Sequence, residues 1–149
     1  MRAVIQRVKR ASVSVGGTCV SSIERGFLVL LGVGEGDTLK EASYIAKKIA
    51  KMRVFCDEND KMNLDIGAVG GGVLLVSQFT LYGDARHGNR PSFIEAMAPD
   101  AANELYLATA KLIGEYGVPV SLGVFGADMQ IDMCGDGPVT ILLDTEKSK

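Results

Sequence analysis

The sequence predicts an α+β fold: mostly antiparallel, barrel-like β-sheets with two helices packed outside, in a single domain over residues 1–149. Three observations carry this. Short runs rich in Val, Ile and Leu, separated by glycines and Gly-Pro, recur along the chain. Only two segments, one after Thr38 and one after Pro99, space apolar residues for a helix. Strands that follow one another directly outnumber strand-helix-strand units, which favours hairpins over a doubly wound parallel sheet. A chain of 149 residues can bury about 70% of its unfolded surface around one core, and no linker or repeat divides it.

Residues 3–8 and 11–15 carry the Val and Ile of two strands, and Gly16-Gly17 supplies a two-residue turn into a third at 18–23. Residues 27–33 are apolar on both faces, as a central strand requires, and Gly32, Gly34 and Gly36 end it. The first helix starts at a capping box of Thr38 and Glu41. Ala42, Ile45, Ala46, Ile49 and Met52 form its apolar face, up to a stop near Arg53. A short strand at 54–56, a polar turn at 57–60 and Gly70-Gly71-Gly72 lead to a strong strand at 73–77. The second helix has Pro99 in its first turn, Leu105, Ala108 and Leu112 on one face, and its stop at Gly117 and Pro119. Two last strands, 128–133 and 139–143, flank the turn signal Gly135-Asp136-Gly137-Pro138.

The first ten residues scatter Arg2, Arg7, Lys9 and Arg10 among apolar residues and lack the unbroken apolar stretch of a signal peptide. The longest apolar runs, 27–31 and 73–76, are far too short to span a bilayer. A cytoplasmic protein without a membrane partner is expected. Cys19, Cys56 and Cys134 are odd in number and form no CxxC pair, so reduced, structural thiols are expected and no metal or cofactor. With a net charge of −2, nonspecific attraction cannot drive polyanion binding over the whole surface, so any nucleic-acid contact must be local.

A GxGxxG loop would need glycine where Asp37 stands, and no GxxxxGK[ST] occurs, so Gly32, Gly34 and Gly36 read as a flexible strand-to-helix turn. The single His87 lies in a Gly- and Arg-rich loop, with Ser77, Ser92, Asp84 and Asp128 as candidate triad partners; a triad base and a solvated loop histidine are both open. Ser77-Gln78-Phe79-Thr80-Leu81 is more informative. There a buried apolar strand ends abruptly in two hydroxyls and an amide, groups able to bind an ester carbonyl or water. The alternative is a polar strand terminus satisfied by neighbouring backbone. Arg86, His87 and Arg90 beside Phe93 suit a few phosphates and a stacked base, or simply solvent. Gly137-Pro138 joins a residue that lets a partner approach the backbone to a bond that can be cis; an ordinary turn is the alternative.

Together these segments resemble the D-aminoacyl-tRNA deacylase family, in which an SQxxL motif and a Gly-Pro motif face each other across a dimer interface. The likeness runs through residues 1–8, Lys61-Met62-Asn63-Leu64, Ser77 to Leu81, Arg90-Pro91-Ser92-Phe93, residues 125–130 and Gly137-Pro138-Val139-Thr140. It departs at Gly135, where the family commonly has Asn, a change that would loosen the turn presenting Gly137-Pro138.

The resemblance implies a homodimer that hydrolyses the ester between a D-amino acid and the 3′ terminus of tRNA, without a cofactor. It implies that Gly137-Pro138 is cis and reaches into the partner subunit's pocket, where its carbonyls reject L side chains while D substrates, and glycine, pass. Ser77, Gln78, Phe79 and Thr80 would form the catalytic segment, with backbone N–H groups near Phe79 and Thr80 as oxyanion donors. Thr80 would position substrate first and act as nucleophile second, because no base is evident beside it; the tRNA's terminal 2′-hydroxyl would assist. Phe125 and Met129 would line the substrate pocket, core packing being their alternative. Arg7 would hold the Gly-Pro loop, and Thr140 falls in the same substrate-binding motif. Two readings of other classes remain: a noncatalytic RNA-binding module using the 86–93 loop, and a Ser-His hydrolase of a small ester.

Overall fold

The computed structural model describes residues 1–146. Where the sequence pattern predicts two opening strands, there is one, β1 (Arg2–Val15). Lys9 and Arg10, which break the apolar pattern, stay in the strand with their side chains exposed, and Arg10 pairs with Cys134. β1 irregularly shifts its register near them, and its buried residues divide there between two cores. Gly16-Gly17 turns the chain into β2 (Thr18–Ile23), antiparallel to the far half of β1. β3 (Gly26–Gly32) then runs antiparallel to its near half.

α1 (Leu39–Lys51) follows. Its capping box forms: the Glu41 carboxylate accepts from the Thr38 N–H at 2.8 Å, and Thr38 Oγ1 accepts from the Lys40 N–H at 3.2 Å. β4 (Phe55–Cys56) and β5 (Met62–Leu64) make a small hairpin, so the Lys61 to Leu64 stretch is largely strand. β6 (Gly72–Ser77) lies parallel to β3. After α2 (Pro99–Gly114), β7 (Val120–Leu122) lies parallel to β6. The sheet is therefore mixed: helical crossovers join β3 to β6 and β6 to β7, while β1 keeps antiparallel neighbours.

β8 (Met129–Asp144) replaces the two strands expected at the C-terminal end, and runs antiparallel to β1 along its whole length. Gly135-Asp136-Gly137-Pro138 carries the residue types of a hairpin turn but does not reverse the chain. Gln6 pairs with Thr140 and Val8 with Gly135, so residues 136–139 bulge out opposite Arg7 alone.

The apolar character of both faces of β3 and β6 follows from the curl of this sheet. One face presents Phe27, Val29, Leu31, Val73 and Leu75 to the helices. The other presents Leu28, Leu74 and Val76 to Val8, Ala11 and Val13. Each buried aliphatic side chain contributes roughly 1.5–3 kcal/mol, so both faces of the curl stabilise the barrel-like shape. α2 buries Ala102, Tyr106, Thr109 and Ile113, while Leu105, Ala108 and Leu112 sit half-buried beside them. Hydropathy discounts Tyr and Thr, yet the Tyr106 hydroxyl donates to Leu75 O at 2.6 Å and Thr109 Oγ1 to Leu105 O at 2.7 Å, which makes burial affordable. The three cysteines are free, but Cys19 is exposed and Cys56 and Cys134 are only half-buried. Among the described residues, no helix is long and apolar enough to cross a membrane.

Candidate functional site

β6 delivers Ser77 to the end of the sheet, where the Gln78 N–H makes the last ladder-like bond, to Leu31 O at 2.8 Å. The chain then tightens into a 3₁₀ turn, Phe79–Tyr82. Leu81 N–H bonds Gln78 O at 3.4 Å and Gly83 N–H bonds Thr80 O at 2.9 Å. The first N–H groups of such a turn have no acceptor within it; among the described residues none accepts from Phe79 or Thr80. The Gln78 amide donates to the Thr80 hydroxyl, which fixes the two polar groups to each other.

A cavity of about 570 Å³ opens beside this turn. Ser77, Gln78 and Phe79 line one side, Phe125 and Met129 another, and Tyr106 is among the residues that complete its wall. The Phe79 ring meets Phe93 edge-on at 5.1 Å. Among the described residues, no charged side chain and no histidine or cysteine lines it. Burial pushes the Tyr106 phenol up to about 12, so it stays neutral near pH 7. Hydroxyls, one carboxamide and backbone dipoles are thus the cavity's polar chemistry. Among the described residues no cluster of three His, Cys, Asp or Glu side chains could hold a metal ion.

The remaining sequence candidates lie elsewhere in the chain. Thr80 is exposed on the turn and does not line the cavity. The Gly137–Pro138 peptide is cis, exposed on the β8 bulge, and away from the cavity of its own chain. Gly137 holds φ +128°, and a Cβ there would lie 2.9 Å from Val139 Cγ2 and 3.1 Å from an Arg7 nitrogen. Arg7, nearly buried, ties the bulge down: Nε donates to Asp136 O at 3.0 Å, and another guanidinium nitrogen donates to Val54 O at 2.6 Å. Thr140 Oγ1 donates to Gln6 Oε1 at 2.6 Å on the exposed sheet surface.

His87 is exposed and outside the cavity lining. Its loop is closed by the Asp84–Ser92 bridge. Arg86 is already engaged by Asp84 at 2.6 Å, which holds that carboxyl down to about 2.

Sequence reasoning passed over the support beneath the turn. A Cβ on Gly34 would sit 2.5 Å from the Tyr82 hydroxyl oxygen, and one on Gly32 only 3.0 Å from Gln78 O. These glycines therefore admit the 3₁₀ turn against the backbone, where the sequence suggested only flexibility. The signal was the Gly-x-Gly spacing at the end of a fully apolar strand.

A family model described as D-Tyr-tRNA(Tyr) deacylase matches residues 4–144. The chain belongs to the D-Tyr-tRNA(Tyr) deacylase family. Among curated relatives, the D-aminoacyl-tRNA deacylase of Koribacter versatilis (strain Ellin345) is 56% identical over 99% of both chains. That of Thermus aquaticus is 54% identical, over 99% of this chain and 97% of the relative. A solved structure described as c-Myc DNA Unwinding Element Binding Protein has TM-score 0.90 at 41% identity, covering 97% of this chain and 98% of the other. Another, described as a probable eukaryotic D-amino acid tRNA deacylase, has TM-score 0.81 over 95% and 97% of the two chains; at 16% identity it shows a shared fold. Family membership makes this chain an enzyme of the D-aminoacyl-tRNA deacylase class, an ester hydrolase.

Proposed function

We propose that the cavity takes the 3′ terminus of a D-aminoacyl-tRNA, holding the terminal adenosine and the amino acid against Phe125 and Met129, with the ester over the Ser77 to Thr80 segment. The observation that carries this reading is an apolar, uncharged cavity that ends at a polar turn with two free N–H groups. An aminoacyl ester is already activated, so placing water and stabilising an oxyanion suffices for catalysis. Water adds to the acyl carbon while the Phe79 and Thr80 N–H groups face the developing oxyanion. The C–O bond to the ribose then breaks, releasing the D-amino acid and a tRNA with a free terminal hydroxyl. Gln78 holds the Thr80 hydroxyl as a positioning group, and the tRNA's own 2′-hydroxyl assists proton transfer, since the cavity offers no protein base.

Chirality, in this reading, is sensed by the backbone of a second copy. The Gly137–Pro138 bulge projects from the sheet and leaves its own cavity unfilled, so in a homodimer it enters the partner subunit's cavity. Its carbonyls crowd the substrate α-carbon: an L side chain collides, a D side chain points outward, and glycine passes. Arg7 fixes the bulge from behind, and Thr140 stiffens its return to the sheet. The enzyme would act in the cytoplasm, where aminoacyl-tRNA is made.

The test is hydrolysis of D-tyrosyl-tRNA against L-tyrosyl-tRNA by the purified protein. Release of D-tyrosine with L-tyrosyl-tRNA left intact is the expected result. A noncatalytic RNA- or DNA-binding role predicts no release from either. A small-ester hydrolase predicts release without regard to handedness, and either outcome overturns the proposal.

A further inference from the structure

Arg2 has no part in the reading above, yet it touches the 79–82 turn in two ways, by a hydrogen bond and by a ring contact. It is paired in the sheet with Gly32 on β3 and Asp144 on β8, at the end where β6 gives way to the turn. From there a guanidinium nitrogen donates to Leu81 O at 3.0 Å. The guanidinium carbon lies 4.3 Å from the centroid of the buried Tyr82 ring. Asp144, 3.3 Å from Nε, and Glu146, 3.7 Å from another nitrogen, hold the group from behind. Among the described residues Nε meets the Asp144 carboxylate without an aligned hydrogen bond, and the guanidinium's hydrogen bond goes to the turn. The turn rests at the same time on Gly32 and Gly34, which leave it no side chain to lean on.

We infer that Arg2 is a positioning residue for deacylation, clamping the 79–82 turn through Leu81 O and the Tyr82 ring so that Gln78, Phe79 and Thr80 keep their alignment to the ester. A four-residue 3₁₀ turn has poor hydrogen-bond geometry of its own, and its Leu81 N–H bond is long at 3.4 Å. Its shape depends on what holds it from outside. A planar fork is required, because one group must both stack on the ring and donate in its plane to a carbonyl. Lysine keeps the attraction to Asp144 and Glu146 but cannot do both.

The inference rests on the proposed role of this turn, and its test separates the two. Steady-state hydrolysis of D-tyrosyl-tRNA is measured for Arg2→Ala, Arg2→Lys and Gln78→Ala, with thermal melting of each. Misplacing catalytic groups by about 1 Å costs on the order of 100-fold, so a fall in kcat of about ten- to a hundredfold is expected for both Arg2 variants. KM should stay within about twofold, since the apolar cavity that binds substrate is retained. Millimolar guanidinium should restore part of the rate to Arg2→Ala, whose slot reaches the surface where the Arg2 side chain is 29% exposed, and none to Gln78→Ala. Arg2→Lys should melt near the parent, so that its loss of rate does not report unfolding. Unchanged kcat in the Arg2 variants, a change confined to KM, or no rescue by guanidinium overturns the clamp. Unchanged activity in Gln78→Ala overturns the catalytic reading of the turn itself.

Discussion

Tyr82 shows how much one residue can constrain. Its ring is buried to 1% exposure, pressed between the Arg2 guanidinium and the Gly34 backbone, and its hydroxyl has no hydrogen-bond partner among the described residues. A buried unsatisfied hydroxyl costs about 1–3 kcal/mol, so Tyr82→Phe, which keeps the ring and removes only the oxygen, should raise stability by about 1 kcal/mol in urea titration. Burial, then the nearby Asp37 carboxylate, raises the phenol's pKa well above its usual value, and burial raises that of Tyr106 to about 12. A phenol whose folded pKa lies above its unfolded one leaves stability independent of pH below pH 10, and stability falls as pH rises from there to the folded value, because the unfolded chain loses the proton first. Between pH 10 and its own folded pKa, each tyrosine should therefore cost about 1.4 kcal/mol of stability per pH unit, and Tyr82→Phe should remove one such share from the slope. An equal alkaline slope in that variant would contradict the placement of Tyr82. At this scale residue type drew attention to Ser77 and Gln78, and both line the cavity. The sequence was silent on Arg2 and Gly34, whose roles depend on what the fold sets beside them.

Among elements, α1 and β3 were legible because their signals are local. The capping box at Thr38, the helical spacing of Ile45 and Ile49, and the two-faced apolar run at 27–32 each need no distant partner to be understood. Thr38→Ala should cost about 1 kcal/mol and lower the melting temperature by a few degrees while leaving kcat unchanged, since α1 does not line the cavity. A matching loss of kcat would mean that α1 reaches the site in a way its packing does not suggest. β8 was misread for the opposite reason. Gly-Asp-Gly-Pro has the composition of a reversal, and only the pairing of Gln6 with Thr140 and Val8 with Gly135 makes it a bulge in one strand. β7 is three residues long and exists because α2 returns Val120 to the edge of β6, a tertiary fact with no local signature. The same crossovers make part of the sheet parallel, against the hairpin count that favoured an antiparallel one.

For the whole molecule, β8 is paired on one edge only. Among the described residues no strand covers its other side, and Leu142 on it is 73% exposed. Open edges of this length are a liability unless covered, and the Gly137–Pro138 bulge sits in the same strand as Met129, which lines the cavity. If the bulge completes a second copy's cavity, each active site is made from two chains, and defects in the two parts should complement one another. Gly137→Ala damages the donated backbone, because its Cβ meets Val139 and Arg7; Gln78→Ala damages the receiving turn. Neither homodimer should hydrolyse D-tyrosyl-tRNA well. Refolded together from denaturant in equal amounts, half of the dimers are mixed, and each mixed dimer holds one site with an intact turn and an intact bulge. Random pairing in a two-fold dimer then restores about a quarter of the parent activity. If bulge and cavity instead acted within one chain, every site in the mixture would carry one defect and nothing would be regained, so flat activity across mixing ratios would dismiss the shared site.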